Sequence, residues 1–329
     1  MTGELADQIF KINDDESFSR LALKIFRLQA EKNSVYRSFV ESLGINPAVV
    51  NKITEIPFLP SEIFRTRKVI MDGLKEKLVF ESSMTAGSSP CRHYVHNPVI
   101  YETSYLKSFN IFYGDPSEYF IAALLPSYTE RQNSSLVYMM NGLISLSGDK
   151  SSGFYKEDRE RIIYNIEKAR LTGRKTFLIG VSFALLDFAN DLSPDLAGTI
   201  VMETGGMKGR RKEITRDELH GILREKLNVT TIHSEYGMTE LLSQAYSEGN
   251  GRFYCPPWMK VLIRDTHDPL SVTGQEGKGG GINVIDLANI FSCSFIATGD
   301  YGRLTVNGGF EVSGRFDNTD IRGCNLMAD

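Results

Sequence analysis

The run His233-Ser-Glu-Tyr-Gly-Met-Thr-Glu240 brings together side chains that could hold a nucleotide and its metal ion. The ring of Tyr236 can lie on a purine base, and Gly237 lets the backbone approach a ligand closely. Thr239 can donate a hydrogen bond to a phosphate, and Glu240 offers the hard oxygen that Mg²⁺ prefers. A turn with a capping threonine and a solvated glutamate would give the same pattern. The run therefore indicates a nucleotide site only if other stretches of the chain carry matching groups.

Three other parts of the chain carry groups of the same kind. The loop Ser82-Ser-Met-Thr-Ala-Gly-Ser-Ser-Pro90 supplies hydroxyl and backbone N–H donors for phosphates, although it lacks the Gly-x-x-x-x-Gly-Lys of a Walker loop. Thr204-Gly-Gly-Met-Lys-Gly209 places paired glycines where a flat base could lie. Thr298-Gly-Asp300 predicts a carboxylate on a tight turn, where it could accept from ribose hydroxyls, and Gly314-Arg315-Phe-Asp317 follows it. Each stretch alone is also typical of an ordinary loop or β-turn.

The segments between these stretches alternate between helical and strand patterns. Periodicity and capping signals predict helices over 15–44, 98–112, 134–146, 156–170, 182–190 and 215–227. Apolar runs predict strands over 77–81, 119–125, 176–181, 199–203 and 229–232, and a helix-compatible segment follows Glu240. This alternation predicts an α/β fold with a mainly parallel sheet covered by helices on both faces.

The pattern changes near residue 252, where glycines and short β-like runs take over. The runs 260–264, 282–286, 295–297 and 303–306 predict a small antiparallel β subdomain. We therefore expect a single domain over 1–329, with an α/β core over 1–251 and a β-rich subdomain over 252–329 that ends in a cysteine-bearing tail.

Composition excludes several classes of function. The 37 basic and 41 acidic residues give a formal net charge of −4, which offers no general attraction for nucleic acid or an anionic membrane. We expect no membrane span, because no apolar run approaches about 20 residues. The start of the chain lacks the pattern of a signal peptide, and the four cysteines are widely scattered. A cytoplasmic protein with free thiols is the expectation.

Four of these stretches resemble, in their order along the chain, motifs of the adenylate-forming superfamily of acyl and aryl ligases. Ser82 to Pro90 is similar to its phosphate loop, and Tyr236-Gly-Met-Thr-Glu240 to its Tyr-Gly-x-Thr-Glu motif. Thr298-Gly-Asp300 matches its Thr-Gly-Asp motif, and Gly314-Arg315-Phe-Asp317 its Gly-Arg-x-Asp hinge motif. The resemblance implies the fold of that superfamily's N-terminal domain, with ATP and Mg²⁺ as cofactors.

Within the superfamily the chain most resembles the acyl-protein synthetases of bacterial bioluminescence, the long-chain-fatty-acid–luciferin-component ligases. The resemblance rests on Gly205-Gly-Met-Lys-Gly-Arg210, on His233-Ser-Glu before the tyrosine, and on Arg322-Gly-Cys-Asn-Leu-Met327. It implies activation of a fatty or other carboxylic acid as acyl-AMP and transfer of the acyl group to Cys324. An acyl reductase or acyltransferase would then receive the group.

The resemblance also implies roles for single residues. Those that would contact ATP are Ser82, Ser83, Thr85, Gly87, Gly205, Gly206, Tyr236, Gly237, Thr239, Asp300 and Arg315. Those that would take part in the chemistry are Thr239, Glu240, Lys208 and Cys324, with Glu240 also the ligand of Mg²⁺.

The chain departs from the superfamily pattern in three places, one of which is the segment Asn318 to Gly323, about one residue shorter than the usual hinge motif. Met84 and Ala86 stand in the phosphate loop where a glycine and a hydroxyl residue are usual. Met84 restricts the backbone φ and Ala86 lacks a hydroxyl donor, and both changes would weaken the binding of ATP. We expect the usual C-terminal lid domain to be absent, because the chain stops at Asp329. Two alternatives stay open: a ligase that passes its acyl group to coenzyme A or a carrier protein, and a non-catalytic scaffold subunit.

Overall fold

Two sheets carry the candidate site, one mostly parallel and one mostly antiparallel. A computed structural model describes residues 2–83, 89–126, 130–155, 158–205 and 214–316. The helices are α1 (Thr2–Ile9), α2 (Asp15–Lys32), α3 (Ser34–Ser42), α4 (Ile63–Thr66), α5 (Pro98–Phe112), α6 (Ser135–Ser147), α7 (Arg159–Leu171), α8 (Ser182–Leu192) and α9 (Arg216–Leu227). Short 3₁₀ helices cover Ile53–Glu55, Pro116–Glu118, Leu287–Asn289 and Val306–Gly308.

The strands are numbered in chain order, whichever sheet they belong to. The strands up to residue 181 are β1 (Leu59–Pro60), β2 (Leu78–Glu81), β3 (Arg92–Val95), β4 (Tyr119–Leu124), β5 (Gly153–Phe154) and β6 (Lys175–Val181). Those from 200 to 253 are β7 (Ile200–Thr204), β8 (His233–Tyr236), β9 (Ala245–Ser247) and β10 (Arg252–Phe253). The remaining strands are β11 (Met259–Arg264), β12 (Val272–Thr273), β13 (Gly279–Asp286), β14 (Phe295–Leu304) and β15 (Phe310–Arg315).

The first sheet has the order β5-β4-β6-β7-β8-β9, and only β9 runs antiparallel to its neighbour. Both faces are covered, as the continuous apolar run of β4 shows. Its residues 119, 121 and 123 pack in a core that includes α5 and α6, whereas 120, 122 and 124 pack with α7, α8 and α9. The predicted parallel sheet with helices on both faces is confirmed.

The second sheet has the order β10-β15-β14-β13-β11-β12, and its strands pair antiparallel. The predicted antiparallel β structure after residue 252 is therefore confirmed. The N-terminal strand β1 joins this sheet parallel to β14. Strands β2 and β3 form a separate hairpin.

Local capping signals predicted several helices correctly. Helix α5 has the predicted bounds, and α9 begins at the predicted capping box, in which Thr215 and Glu218 bond each other's backbone N–H groups. Helix α6 begins after Ser134, whose side chain accepts from the N–H of Val137. No helix in the described ranges is long and apolar enough to cross a membrane.

The single helix predicted over 15–44 is wrong, because Asn33 divides it into α2 and α3. The backbone of Asn33 is extended, and its side-chain oxygen accepts from the N–H groups of Val35 and Tyr36. Its amide also donates to the carbonyl of Ser292 at 2.9 Å. A cap and a distant contact thus outweigh the helical periodicity.

Three predictions around the motifs are also wrong. Strand β8 covers His233–Tyr236 rather than 229–232, so Tyr236 lies on the strand and not after it. No helix follows Glu240, since the chain enters β9 after a short turn. Thr298-Gly-Asp300 lies inside β14, one strand spanning both predicted runs, and a bulge follows at Tyr301 and Gly302.

Candidate active site

Tyr236, Asp300 and Arg315 meet where the two sheets approach each other. The Tyr236 ring packs edge-on against Phe253 and Phe310, at centroid distances of 5.9 and 5.3 Å. Its hydroxyl donates to Asp300 Oδ2 at 2.8 Å. Arg315 Nε lies 3.4 Å from Asp300 Oδ1. Residues from three of the sequence stretches are therefore in contact.

Asp300 is held by its place on β14, and Arg315 is its register partner on β15. The Asp300 N–H donates to Thr298 Oγ1 at 3.1 Å. Burial raises the pKa of Asp300 above its ordinary value, although Tyr236 and Arg315 oppose this shift. The Arg315 side chain is 75% exposed. An exposed cation beside a fixed acceptor suits a site for ribose hydroxyls and phosphate.

Glu240 is buried, with only 4% of its surface exposed, so the alternative of a solvated glutamate is wrong. Burial raises the pKa of its carboxyl, and the neighbouring Cys91 thiol opposes this shift. Arg65 and Arg315 are the cations that act on the same carboxyl and favour its ionised form. Glu240 is therefore a buried carboxylate with two cations near it, an environment in which it could also act on a metal ion.

The backbone of the motif is fixed from behind by two buried side chains. His93 Nδ1 lies 3.0 Å from the carbonyl oxygen of Thr239 and donates to it, since a carbonyl can only accept. The amide of Asn289 donates to the carbonyl of Glu240 at 2.8 Å. Burial lowers the pKa of His93 to about 4, so the ring is neutral at pH 7. Neither residue belongs to a motif, so neither was predicted as part of the site.

Ser82 and Ser83 open the predicted phosphate loop, which connects β2 to β3 in one hairpin. Ser82 N–H donates to the Cys91 carbonyl, and Cys91 N–H donates to Ser82 Oγ, each at 3.0 Å. Arg65 Nε donates to Cys91 Sγ at 3.3 Å. Cys91 therefore contacts the base of this loop and also affects the pKa of Glu240.

Gly205 ends β7 at the carboxyl edge of the parallel sheet. Its φ of +66° is one that side chains other than glycine's rarely adopt. Its carbonyl accepts from Ser182 Oγ at 2.5 Å. On the neighbouring strand the carboxyl of Glu235 accepts from Thr204 Oγ1 at 2.5 Å. Glu235 was not predicted as a site residue.

The remaining predicted site residues lie outside the described part of the chain. They are Thr85, Gly87, Gly206, Lys208 and Cys324. Met84 and Ala86, the two departures in the phosphate loop, lie outside it as well. Their predicted roles stay predictions.

The donor set fits a magnesium nucleotide better than a metal held by protein alone. Within the described ranges no group of three or more His, Cys, Asp or Glu residues could hold a metal ion. Magnesium is commonly held by one or two carboxylates together with substrate phosphates, and Glu240 can be such a carboxylate. A Cβ at Gly237 would lie 2.3 Å from Glu235 Oε1, so a larger residue at this position would displace that carboxyl.

No protein-family model matches the chain, and no curated protein matches it by sequence. Solved structures do match it. ATP-bound MatB from Rhodopseudomonas palustris is 15% identical, with a TM-score of 0.54 over 74% of this chain and 49% of its own. The luciferase-like enzyme of the mealworm Zophobas morio is 17% identical, with a TM-score of 0.53 over 75% and 59%. A long-chain-fatty-acid-CoA ligase from Archaeoglobus fulgidus is 17% identical, with a TM-score of 0.51 over 72% and 51%.

These similarities concern the fold. The chain shares a mixed α/β fold with these structures, and it spans about half of their length. What those proteins bind and catalyse is a property of each of them.

Proposed function

We propose that the protein uses ATP and Mg²⁺ to activate a carboxylic acid as an acyl-adenylate and then transfers the acyl group to Cys324. The observation that carries the proposal is the meeting of distant motif residues in one place. Tyr236, Asp300 and Arg315 are in contact, and Glu240 lies close enough to Arg315 for that cation to affect its pKa. The shared fold of adenylate-forming enzymes supports it.

In the first step, a carboxylate oxygen of the acid attacks the α-phosphorus of ATP and the bond to pyrophosphate breaks. Asp300 would accept from the ribose hydroxyls, and Thr239 would donate to the α-phosphate. Arg315 and Lys208 would offset the negative charge that builds up as two anions approach. Mg²⁺, held by Glu240, would supply further charge neutralisation at the phosphates.

In the second step, the Cys324 thiolate attacks the acyl carbonyl, AMP leaves, and a thioester forms. Nine residues separate Arg315 from Cys324, a chain that can extend about 30 Å. This reach allows the cysteine to meet the acyl-adenylate and afterwards an acyl reductase or acyltransferase. The proposal includes a single cytoplasmic domain, with a core over 1–251 and a β-rich part over 252–329.

The test is the intact mass of the protein after incubation with Mg-ATP and a mixture of acids that includes fatty acids. Wild type and the matched variant Cys255→Ser should gain the mass of one acyl group, whereas Cys324→Ser should not. All three should release pyrophosphate. Pyrophosphate release without any mass gain would contradict transfer to Cys324 and favour coenzyme A or a carrier protein. The absence of both pyrophosphate release and mass gain with every acid would favour the scaffold alternative.

A further inference from the structure

Arg264 links three strands of the antiparallel sheet next to the candidate site, although it belongs to none of the motifs. It is the last residue of β11. Its Nη1 donates to the carbonyl of Ile282 at 2.7 Å and to Asn283 Oδ1 at 2.9 Å, both on β13. Its Nη2 donates to the carbonyl of Thr298 on β14 at 2.5 Å. These hydrogen bonds fix the guanidinium in one orientation, because its donors form a rigid planar fork.

Gly281, the register partner of Arg264 on β13, leaves the space in which the guanidinium lies. A Cβ at Gly281 would lie 2.4 Å from Arg264 Cζ, so a larger residue there would displace the guanidinium. Arg264 Cζ also lies 5.5 Å from the centre of the Phe316 ring, the distance of a cation–π contact. The N–H of Phe316 donates to the carbonyl of Gly299 at 2.8 Å. Arg264 therefore contacts both β14 and the residue that follows β15.

The Thr298 residue that accepts from Arg264 also holds Asp300, since the Asp300 N–H donates to Thr298 Oγ1 at 3.1 Å. Burial raises the pKa of the Asp300 carboxyl, and three groups that face it oppose this shift: the Tyr236 hydroxyl, Arg315 and Arg264. The Arg315 side chain is 75% exposed, whereas Arg264 is half-buried. Arg315 can therefore turn towards a phosphate, while the hydrogen bonds of Arg264 keep it in place.

The guanidinium of Arg264 is a permanent positive charge. Burial lowers its pKa, but Glu62, Asp300 and Tyr236 oppose this shift. An arginine keeps its proton in proteins, because its ordinary pKa is 12.5. The charge of Arg264 therefore favours the ionised form of Asp300 at every pH at which the protein is folded.

We propose that Arg264 is a positioning residue of the candidate site, which holds the Thr298–Asp300 segment so that the Asp300 carboxylate meets the ribose hydroxyls of a bound nucleotide. The inference rests on the proposed function, which places the ribose at Asp300. Arg264 would act through Asp300 rather than through contact with the nucleotide. Its removal should therefore weaken the contribution of the ribose hydroxyls and leave the rest of the binding largely intact.

The first measurement needs no nucleotide. In protein labelled with ¹³C at the aspartate carboxyls, an NMR titration follows Asp300, whose signal is the one that Asp300→Asn removes. We expect Arg264→Met to move the Asp300 titration to higher pH, because a cation that favours the carboxylate form is lost. Arg264→Lys keeps the charge and should stay near the wild-type midpoint. Arg303→Met is the matched control, since Arg303 is an exposed arginine of β14 that pairs with Glu311.

The second measurement compares ATP with 2′,3′-dideoxy-ATP by calorimetry in the presence of Mg²⁺, so that both ligands carry the same base and phosphates. Wild type should bind ATP roughly tenfold more tightly, as for hydrogen bonds to a charged acceptor. Arg264→Met should reduce this preference by about threefold or more, and Arg264→Lys should restore part of it. The affinity for dideoxy-ATP should change little, whereas damage to the fold would weaken both ligands alike.

An unchanged Asp300 midpoint in Arg264→Met, or an unchanged preference for ATP, would overturn the inference. If Arg264→Met does not fold, the comparison of Arg264→Gln with Arg264→Lys decides the question, because only the lysine variant keeps the charge. A wild type that binds neither nucleotide would contradict the proposed function. In that case the Asp300 titration alone decides whether Arg264 supports the carboxylate.

Discussion

The Thr239–Glu240 segment is held from two sides by very different groups. On the outer side, Asp300 bonds Tyr236 and faces Arg315, whose side chain is 75% exposed. On the inner side, buried residues hold the backbone: Asn289 and Asp286 have no measurable exposure. The Asp286 carboxyl accepts from Leu242 N–H at 2.7 Å and from Ser243 Oγ at 2.6 Å.

The buried inner side and the exposed outer side therefore contribute differently to stability and to ligand binding. Buried hydrogen bonds that satisfy otherwise unpaired groups contribute strongly to the folded state, whereas an exposed ion pair contributes little. We therefore expect changes on the inner side to unfold the protein, and changes on the outer side to affect ligand binding while the fold persists.

The largest effect is expected for Asp286→Leu. This change leaves three donors without an acceptor, the N–H groups of Leu242 and Ala288 and the hydroxyl of Ser243. At about 2 kcal/mol for each lost acceptor, the free energy of unfolding should fall by about 6 kcal/mol in urea denaturation. The exposed control Asp7→Leu should change it little. A loss below about 2 kcal/mol would show that the inner side is not the stabilising one.

Asp286 should also make stability depend on pH. Burial raises its pKa to about 6, from 3.8 for an ordinary aspartate. Its folded pKa exceeds its unfolded pKa, so the stability it contributes is present below pH 4 and is lost as the pH rises through 6. The loss should approach 3 kcal/mol. Urea denaturation between pH 4 and 7 would measure it, and Asp286→Asn should flatten this part of the profile.

A smaller effect on stability is expected for Tyr236→Phe, which removes the hydrogen bond to Asp300. The free energy of unfolding should fall by about 1.5 kcal/mol, because the acceptor is charged. Affinity for ATP should fall about tenfold, since Asp300 is then free to turn away from the ribose. Calorimetry with ATP would test this, with the exposed Tyr254→Phe as control. Unchanged affinity would remove Tyr236 from the proposed site.

The smallest effect on stability is expected for Arg315→Ala, with a change of about 0.5 kcal/mol or less. The rate of pyrophosphate release should nevertheless fall strongly if Arg315 offsets phosphate charge. Arg303→Ala is a matched control, because Arg303 forms a similar exposed pair with Glu311 between the same two strands, at 2.7 Å. Equal pyrophosphate rates in the two variants would contradict a special role for Arg315.

Much of the fold followed from local signals in the sequence. The capping box at Thr215 and the cap at Ser134 fixed the starts of two helices, because each cap bonds N–H groups only a few residues away. The apolar run of β4 predicted a strand buried on both faces. The meeting of Tyr236 with Asp300 was implied by motif order, since motifs that share a ligand must be close in space.

The errors came from contacts between distant residues. The helix expected after Glu240 does not form, because Asp286 takes the N–H of Leu242 and so replaces a helical hydrogen bond. The helix over 15–44 breaks where Asn33 reaches Ser292. Cys91 and Asn289 were missed as supports of Glu240 for the same reason, since neither has a motif and their roles arise only in the folded chain.

Strand β1 has a consequence for how the protein is made. Leu59 pairs with Ile296, and Ser61 N–H donates to the carbonyl of Ala297. Gln29 of α2 likewise donates to the carbonyl of Asn289 at 3.0 Å. The N-terminal helices therefore leave the ribosome long before the strands that complete them. The apolar faces of these helices stay exposed until the C-terminal strands have been synthesised. Chaperones that bind nascent chains would therefore act on this part of the protein first.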